Sequence, residues 1–244
     1  MLGIGVLLLL TLPSVFGPSL REPANPHPVS KLGSLRRDLL DGVKWLWQHS
    51  EVRDVTIAAA VVSAADAAWF AILVLYVIQI LHQKAGAYGV LLAVGALGGV
   101  AVGSIGGRLI RRMGPWPSLL LSGLVMASTQ AGLGLTSSVV IAAVMLFASS
   151  AAFALFNITA VTMRQRQVPA GMLGRVTSLY LTISRGAEVV GASAGGVLAT
   201  TAGIQAPMLA GAIPTAGVMA IIAWLHRSHR GAPGGSGADP AHTS

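Results

Sequence analysis

Three ionisable residues interrupt long apolar runs, where charged side chains are rare. Asp66 lies about eleven residues into its run, or roughly 17 Å at about 1.5 Å per helical residue. If the run spans a bilayer, that depth is near the middle of a hydrocarbon core about 30 Å thick. Arg185 and Glu188 lie similarly deep in a later run. Each charge costs on the order of 2.5–3.5 kcal/mol there, so such residues normally face a cavity or a partner.

Proton transfer is the chemistry open to an isolated carboxyl at that depth. Asp66 has no cation nearby in its own run, which favours a proton-carrying or cavity-lining role. Arg185 and Glu188 are three residues apart and can pair on one helical face. That pair is either a self-neutralising structural element or part of a gating or substrate-binding face.

Amides and aromatic side chains inside the runs are secondary candidates. The amides suit hydrogen bonds between helices, and Asn157 is also a candidate for the wall of a cavity. Aromatic rings in spans pack more often than they bind, but they also suit an amphipathic substrate. The residues in question are Gln79, Gln130, Asn157, Trp69, Phe70, Phe153 and Phe156.

Motifs for enzymatic chemistry are missing from the sequence. It contains no cysteine, no G-x-x-x-x-G-K-[ST] and no H-E-x-x-H. One G-x-S-x-G match, at 191–195, lies inside a predicted span and not in the strand-to-helix turn that this motif needs for catalysis. His226 and His229 stand together but lack a third ligand of the kind zinc sites need. We therefore predict no catalytic residues, no metal site and no cofactor, and we expect that the protein is not an enzyme.

Composition places the chain in a membrane. Of its 244 residues, 54% are hydrophobic and only 10% are charged, against about 25% charged in a soluble domain. The apolar runs are long and unbroken rather than alternating, which favours helices over a barrel. The net charge of +8 comes from cations between the runs, which is typical of topology signals and not of nucleic-acid binding.

Six apolar runs predict an all-α, polytopic helical membrane protein. Residues 1–19 resemble the end of a preceding transmembrane helix, and residues 20–54 form a cytoplasmic linker with an interfacial amphipathic helix. Residues 55–226 form a six-helix transmembrane domain, and residues 227–244 a disordered tail. The predicted spans are 55–81, 88–107, 117–135, 139–163, 176–201 and 208–224.

The distribution of basic residues predicts the orientation of the spans. If residues 20–54 are cytoplasmic, 14 of the 16 Lys and Arg residues fall on the cytoplasmic side, one (Lys84) falls outside and one (Arg185) lies within a span. Cytoplasmic loops carry such an excess of cations. We therefore predict a multi-pass protein of the cell membrane with a cytoplasmic C-terminus.

Glycines recur every fourth residue in two of the predicted spans. Such strips allow close approach of another helix, either in static packing or where one bundle slides against another. In the second span the strip also extends toward the following loop. The strips comprise Gly95, Gly99, Gly103 and Gly107 in the second span, and Gly191 and Gly195, flanked by Ala187 and Ala199, in the fifth.

A basic, glycine-containing segment follows the second span and carries a family resemblance. The sequence GSIGGRLIRRMG resembles a degenerate copy of the G-x-x-x-D-R-x-G-R-R loop of the major facilitator superfamily, which joins the second and third helices of each six-helix half. Gly107 stands where the family has the acidic residue that anchors a charge network. The matching residues are Gly103, Gly107, Arg108, Arg111, Arg112 and Gly114.

Two further segments resemble exporters of the same superfamily. RQRQVP followed by GRV, at 164–176, is similar to the segment between the fourth and fifth helices of a half. DGVKWLW, at 41–47, resembles the amphipathic segment that opens the C-terminal half in drug and siderophore exporters. The resemblance implies the C-terminal half of a twelve-helix bundle that exports a small amphipathic molecule, with proton coupling and alternating access. Its expected partners are the lipid bilayer, the substrate, and an N-terminal half or a second copy.

Two other classes of protein remain open. A permease subunit of an ATP-driven transporter fits the span count and the absence of a P-loop, although no predicted cytoplasmic segment carries an acidic-Ala-Ala coupling motif. A truncated, non-transporting remnant or a membrane scaffold is the other alternative.

Overall fold

The computed structural model describes residues 42–230 of the chain, with side chains described as far as Arg227. All regular elements in this range are helical. The predicted stub at 1–19, most of the linker and the last part of the tail lie outside the described residues. After a helical segment at 42–48, the helices are α1 (Ser50–Phe70), α2 (Leu73–Gln79), α3 (Ala85–Met113), α4 (Pro115–Leu135), α5 (Val139–Gln167), α6 (Ala170–Ala202) and α7 (Ala206–Arg230).

Short breaks separate the helices and explain where each one ends. Between α1 and α2, the N–H of Ile72 bonds to the carbonyl of Trp69 at 3.2 Å, a tightened turn that lets the two helices form one stretch. Gly114 and Gly203, which follow α3 and α6, have φ of +89° and +97°, a conformation that favours glycine. Because the other connections are short, the long helices that they join run antiparallel.

Five helical stretches in the described part of the chain are long and apolar enough to cross a membrane. They correspond to five of the six predicted spans, and the all-α, polytopic prediction is confirmed. The predicted fifth span lies in α6, which has 33 residues but is less apolar because it carries Arg175, Arg185 and Glu188. The five stretches are Ser50–Gln79, Ala85–Met113, Pro115–Leu135, Val139–Gln167 and Ala206–Arg227.

The helices form an arc in the order α3, α5, α4, α7, α1, α6. α1 packs along α6 and α7, α5 packs along α3 and α4, and α4 packs on α7 to join the two groups. α3 and α6 therefore lie at the two ends of the arc. α1 and α5 contact each other only over a short stretch, which leaves room between them.

The structure differs from the predictions at both ends of the described range. The helical segment at 42–48 buries Leu46 against Val52 and Val176 of the bundle, whereas Trp47 is 64% exposed. Part of the apolar face predicted for the membrane surface therefore packs on the bundle instead. At the other end, α7 continues to Arg230, so the predicted disordered tail does not begin at Arg227.

Four glycines of the two strips pack inside the bundle. A β-carbon on Gly191 or Gly195 of α6 would lie 2.0 or 2.1 Å from a carbonyl oxygen of α1. Gly95 and Gly99 of α3 face α5, where a β-carbon would lie 3.1 Å from Ser150 Oγ or 3.8 Å from its carbonyl oxygen. Static packing against α1 and α5 therefore accounts for these four glycines, whereas Gly103 and Gly107 of the α3 strip are exposed.

Candidate functional site

A cavity of about 500 Å³ lies between α1, α3 and α5. α1 contributes Asp66, Trp69 and Phe70, and α5 contributes Phe153 among other residues. The α3 wall includes Gly95, which has no side chain to fill the space. This volume is in the usual range of about 300–1,000 Å³ for small-molecule sites, which are mostly apolar with a few polar groups.

A second cavity of about 180 Å³ adjoins the first and brings α6 into the site. Asp66, Phe70 and Phe153 line both cavities, and Glu188 of α6 lines the smaller one. Two of the ionisable residues singled out in the sequence therefore meet at one site, although they lie in the first and fifth predicted spans.

The side chain of Trp69 holds the Asp66 carboxylate. Its Nε1–H donates a hydrogen bond to Asp66 Oδ1 at 3.1 Å, from one helical turn further along α1. The indole is only 3% exposed and packs in the core with Leu73 and Tyr76, so its position is fixed by its surroundings. Within the part of the chain that the structure describes, no cation pairs with Asp66.

Arg185 and Glu188 form the predicted ion pair. Arg185 Nη1 donates to both carboxylate oxygens of Glu188, at 2.8 and 3.1 Å. The Arg185 side chain is 73% exposed on the surface of the described bundle, and that of Glu188 is 32% exposed. An exposed guanidinium deep in a membrane helix is costly against lipid, so this side of α6 suits water or protein.

Asn157 does not reach the cavities. Its Nδ2 donates to the carbonyl oxygen of Phe153 in its own helix at 3.0 Å, so the predicted bond to another helix is wrong. Phe153 lines both cavities, as expected, whereas Phe156 is buried in the core.

The other two amides also depart from the predictions. Gln79 is exposed at the end of α2 rather than buried. Gln130 is fully buried, but neither of its amide atoms has a hydrogen-bond partner among the described residues. Neither side chain forms the predicted bond between helices.

The basic motif predicted as a loop is helical. From Gly103 to Arg112 it belongs to the last turns of α3, and only Gly114 lies in the connection to α4. Gly107 and the three arginines are exposed. Cations at the C-terminal end of a helix are favoured by the helix dipole. The exposed arginines are Arg108, Arg111 and Arg112.

A buried arginine in the second motif has a partner that sequence reasoning missed. The Arg164 guanidinium of α5 lies over the Tyr180 ring of α6, with Cζ 3.4 Å from the ring centroid, and Arg164 is only 5% exposed. Nearby, Gln167 donates a hydrogen bond to Glu51 of α1. These contacts join the ends of three helices that carry the cavity walls.

The comparison with known families covers most of the chain. The sequence model of the Major Facilitator Superfamily matches residues 1–187, which include the helices that line the larger cavity. No curated protein matches the sequence significantly. The chain therefore belongs to the Major Facilitator Superfamily, a family of membrane transporters.

Proposed function

We propose that this membrane transporter is a secondary exporter that moves a small amphipathic molecule by alternating access in exchange for protons. The observation that carries the proposal is the position of Asp66, a carboxylate without a cationic partner among the described residues, on both aromatic-walled cavities. A side chain there is in contact with any molecule that fills the larger cavity.

The proposed coupling depends on two charge states of Asp66. In its ionised form it attracts a ligand, and in its protonated form it is neutral and releases the ligand. The groups that face it are the Trp69 indole from its own helix and Glu188 from α6, whose charge is paired with Arg185. Proton and ligand then compete for the same carboxylate.

We further propose that a second six-helix bundle completes the site, either an N-terminal half or another copy of this chain. The arc is open between its two end helices, α3 and α6. Gly103 of α3 and Gly186 of α6 have no neighbouring atom where a β-carbon would lie. The outer side of α6 also presents Val189, 69% exposed, and Arg185.

The proposed location is the cell membrane, with the C-terminus in the cytoplasm. Exposed arginines end α3, Arg166 ends α5, and Arg227 lies near the end of α7. These helix ends share one side of the bundle because the chain alternates direction between them. An excess of cations on that side supports a cytoplasmic assignment.

Transport by the full chain in proteoliposomes tests the proposal. An imposed pH gradient should drive accumulation of at least one dye from a panel of cationic, neutral and anionic amphipathic dyes. Asp66→Asn should abolish the gradient-driven component because asparagine cannot exchange a proton. Asp54→Asn is the matched control, since Asp54 pairs with Arg53 near the N-terminal end of α1 and does not line either cavity around Asp66. Equal gradient-driven rates for Asp66→Asn and the unsubstituted chain would contradict proton coupling through Asp66.

A further inference from the structure

The charges around the smaller cavity are not balanced. Asp66 and Glu188 both line it, so two carboxylates face one space of about 180 Å³. Glu188 is compensated, because Arg185 Nη1 bonds to both of its oxygens at 2.8 and 3.1 Å. Among the described residues, Asp66 accepts only the neutral Trp69 N–H. Counting these three ionised side chains, the site carries one net negative charge.

The walls around this charge are aromatic. Phe70 and Phe153 line both cavities and are 47% and 37% exposed, so their rings are accessible. The face of an aromatic ring attracts a cation, and the attraction is stronger where water is excluded. A carboxylate in a cavity that two phenyl rings also line therefore suits an organic cation with a flat apolar body.

Anions and dications fit less well. An anion would lie beside Asp66, and Arg185, the cation of this site, is bound to Glu188 and does not line either cavity. A dication carries two positive charges, whereas one carboxylate of the site, Asp66, is uncompensated. The arrangement therefore favours a ligand with a single positive charge.

We infer that this transporter takes an amphipathic organic monocation, and that Arg185 sets this charge preference by neutralising Glu188. The inference rests on the proposed function in that it takes the cavity around Asp66 as the substrate site. Arg185 is then a specificity-determining residue that acts through Glu188. Removing its charge leaves two uncompensated carboxylates and shifts the preference toward dications.

Ethidium and propidium provide matched probes, because they share one phenanthridinium ring system and carry one and two positive charges. Binding of each is measured by fluorescence anisotropy on the full chain in nanodiscs of zwitterionic lipid, without a pH gradient. For the unsubstituted chain we expect tighter binding of ethidium than of propidium. Asp66→Asn should weaken ethidium binding by about tenfold, as expected when a desolvated opposite charge is lost.

Three variants isolate the role of Arg185. Arg185→Gln should change the ratio of the two dissociation constants in favour of propidium by about tenfold, because a second carboxylate becomes available. Arg185→Lys keeps the positive charge and should retain the ethidium preference. The double variant Arg185→Gln/Glu188→Gln again carries one negative charge and should also prefer ethidium. A purely structural role for Arg185 predicts equal losses for both dyes and no recovery in the double variant.

Two results would overturn the inference. One is an unchanged ratio in Arg185→Gln with a monodisperse, ligand-binding protein, and the other is ethidium binding that is indifferent to Asp66→Asn. Failure of the proposed function is distinguishable from both. If a neutral dye is transported while cations show no binding preference, only the inference fails. If charge-dependent binding is intact but no gradient drives transport, only proton-coupled export fails.

Discussion

Gly191 of α6 lies so close to Ala64 of α1 that a β-carbon on the glycine would sit 2.0 Å from the alanine carbonyl oxygen. One helical turn further on, Gly195 meets Ala68 in the same way, at 2.1 Å. The two contacts fix the register of α6 along α1. Glu188 lies one turn before Gly191, and Asp66 lies between Ala64 and Ala68, so this register brings the two carboxylates to one cavity.

Adding a side chain at the α1–α6 contact should destabilise the bundle. Gly191→Ala places a methyl group against backbone that cannot move aside, and overpacking of this kind costs about 1–3 kcal/mol. We expect a lower melting temperature for the purified protein, with loss of ethidium binding as α6 shifts. Gly196→Ala is the control on the same helix, because nothing lies within 4 Å of the position its β-carbon would take. If Gly191→Ala and Gly196→Ala melt alike, the close approach of α6 to α1 is wrong.

Replacing Tyr180 tests the buried contact with Arg164. The guanidinium lies 3.4 Å above the ring and is almost fully buried, so the loss of the aromatic face leaves a buried cation without its stacking partner. Tyr180→Leu should lower the free energy of unfolding by about 2 kcal/mol, the size of a desolvated cation–π contact.

Tyr180→Phe is the matched control for this contact because it retains the ring face. Unfolding of the purified protein by heat or denaturant in mixed micelles measures the difference between the two variants. Equal stability of Tyr180→Leu and Tyr180→Phe would show that the ring face contributes nothing.

The hydrogen bond from Trp69 to Asp66 can be tested by substitution. Trp69→Phe removes the N–H donor but keeps an aromatic ring in the core. A hydrogen bond to a charged group contributes about 1.5–3 kcal/mol, so a carboxylate that loses it is both less fixed and less stable. We expect about tenfold weaker ethidium binding in the same nanodisc assay. Trp45→Phe, whose ring lies outside both cavities, should bind ethidium like the unsubstituted chain.

The sequence was sufficient to predict the helices and to identify the individual charged residues, but not to predict how they are arranged in space. Long apolar runs predict spans because the bilayer demands satisfied backbone groups, and Arg185 and Glu188 pair because their spacing alone places them together. The meeting of Asp66 with Glu188 depends on how α6 packs on α1. The residues near Asp66 do not indicate that packing. The spacing of Gly191 and Gly195 is the sequence feature that corresponds to it.

The predictions for Asn157 and for the basic motif were wrong for related reasons. An amide side chain within a span has several possible acceptors, and Asn157 uses a carbonyl of its own helix. The resemblance to a family loop predicts a loop at the basic motif. α3 continues through it nonetheless, and only Gly114, with positive φ, ends the helix. Local composition therefore predicted where the apolar surface stops but not where the helix stops.

Cysteine labelling tests whether α6 crosses the membrane. The protein contains no cysteine, so each single-cysteine variant has one reactive thiol. The exposed residues Ala170 and Ala202 mark the two ends of α6, the long helix that carries Arg185 and Glu188 and is not among the five apolar stretches. If α6 spans the bilayer with the proposed orientation, a membrane-impermeant maleimide should label Ala202→Cys in intact cells. Ala170→Cys should then react only after permeabilisation.

Lys84→Cys and Met113→Cys, at the two ends of α3, calibrate the outer and cytoplasmic sides for this measurement. Their labelling should match Ala202→Cys and Ala170→Cys respectively, because the chain changes sides once along each helix. Labelling of both ends of α6 from the same side would mean that it does not cross the membrane. In that case Glu188 would lie at an interface rather than in a membrane cavity, and Arg185 would lose its role in setting the charge of the ligand.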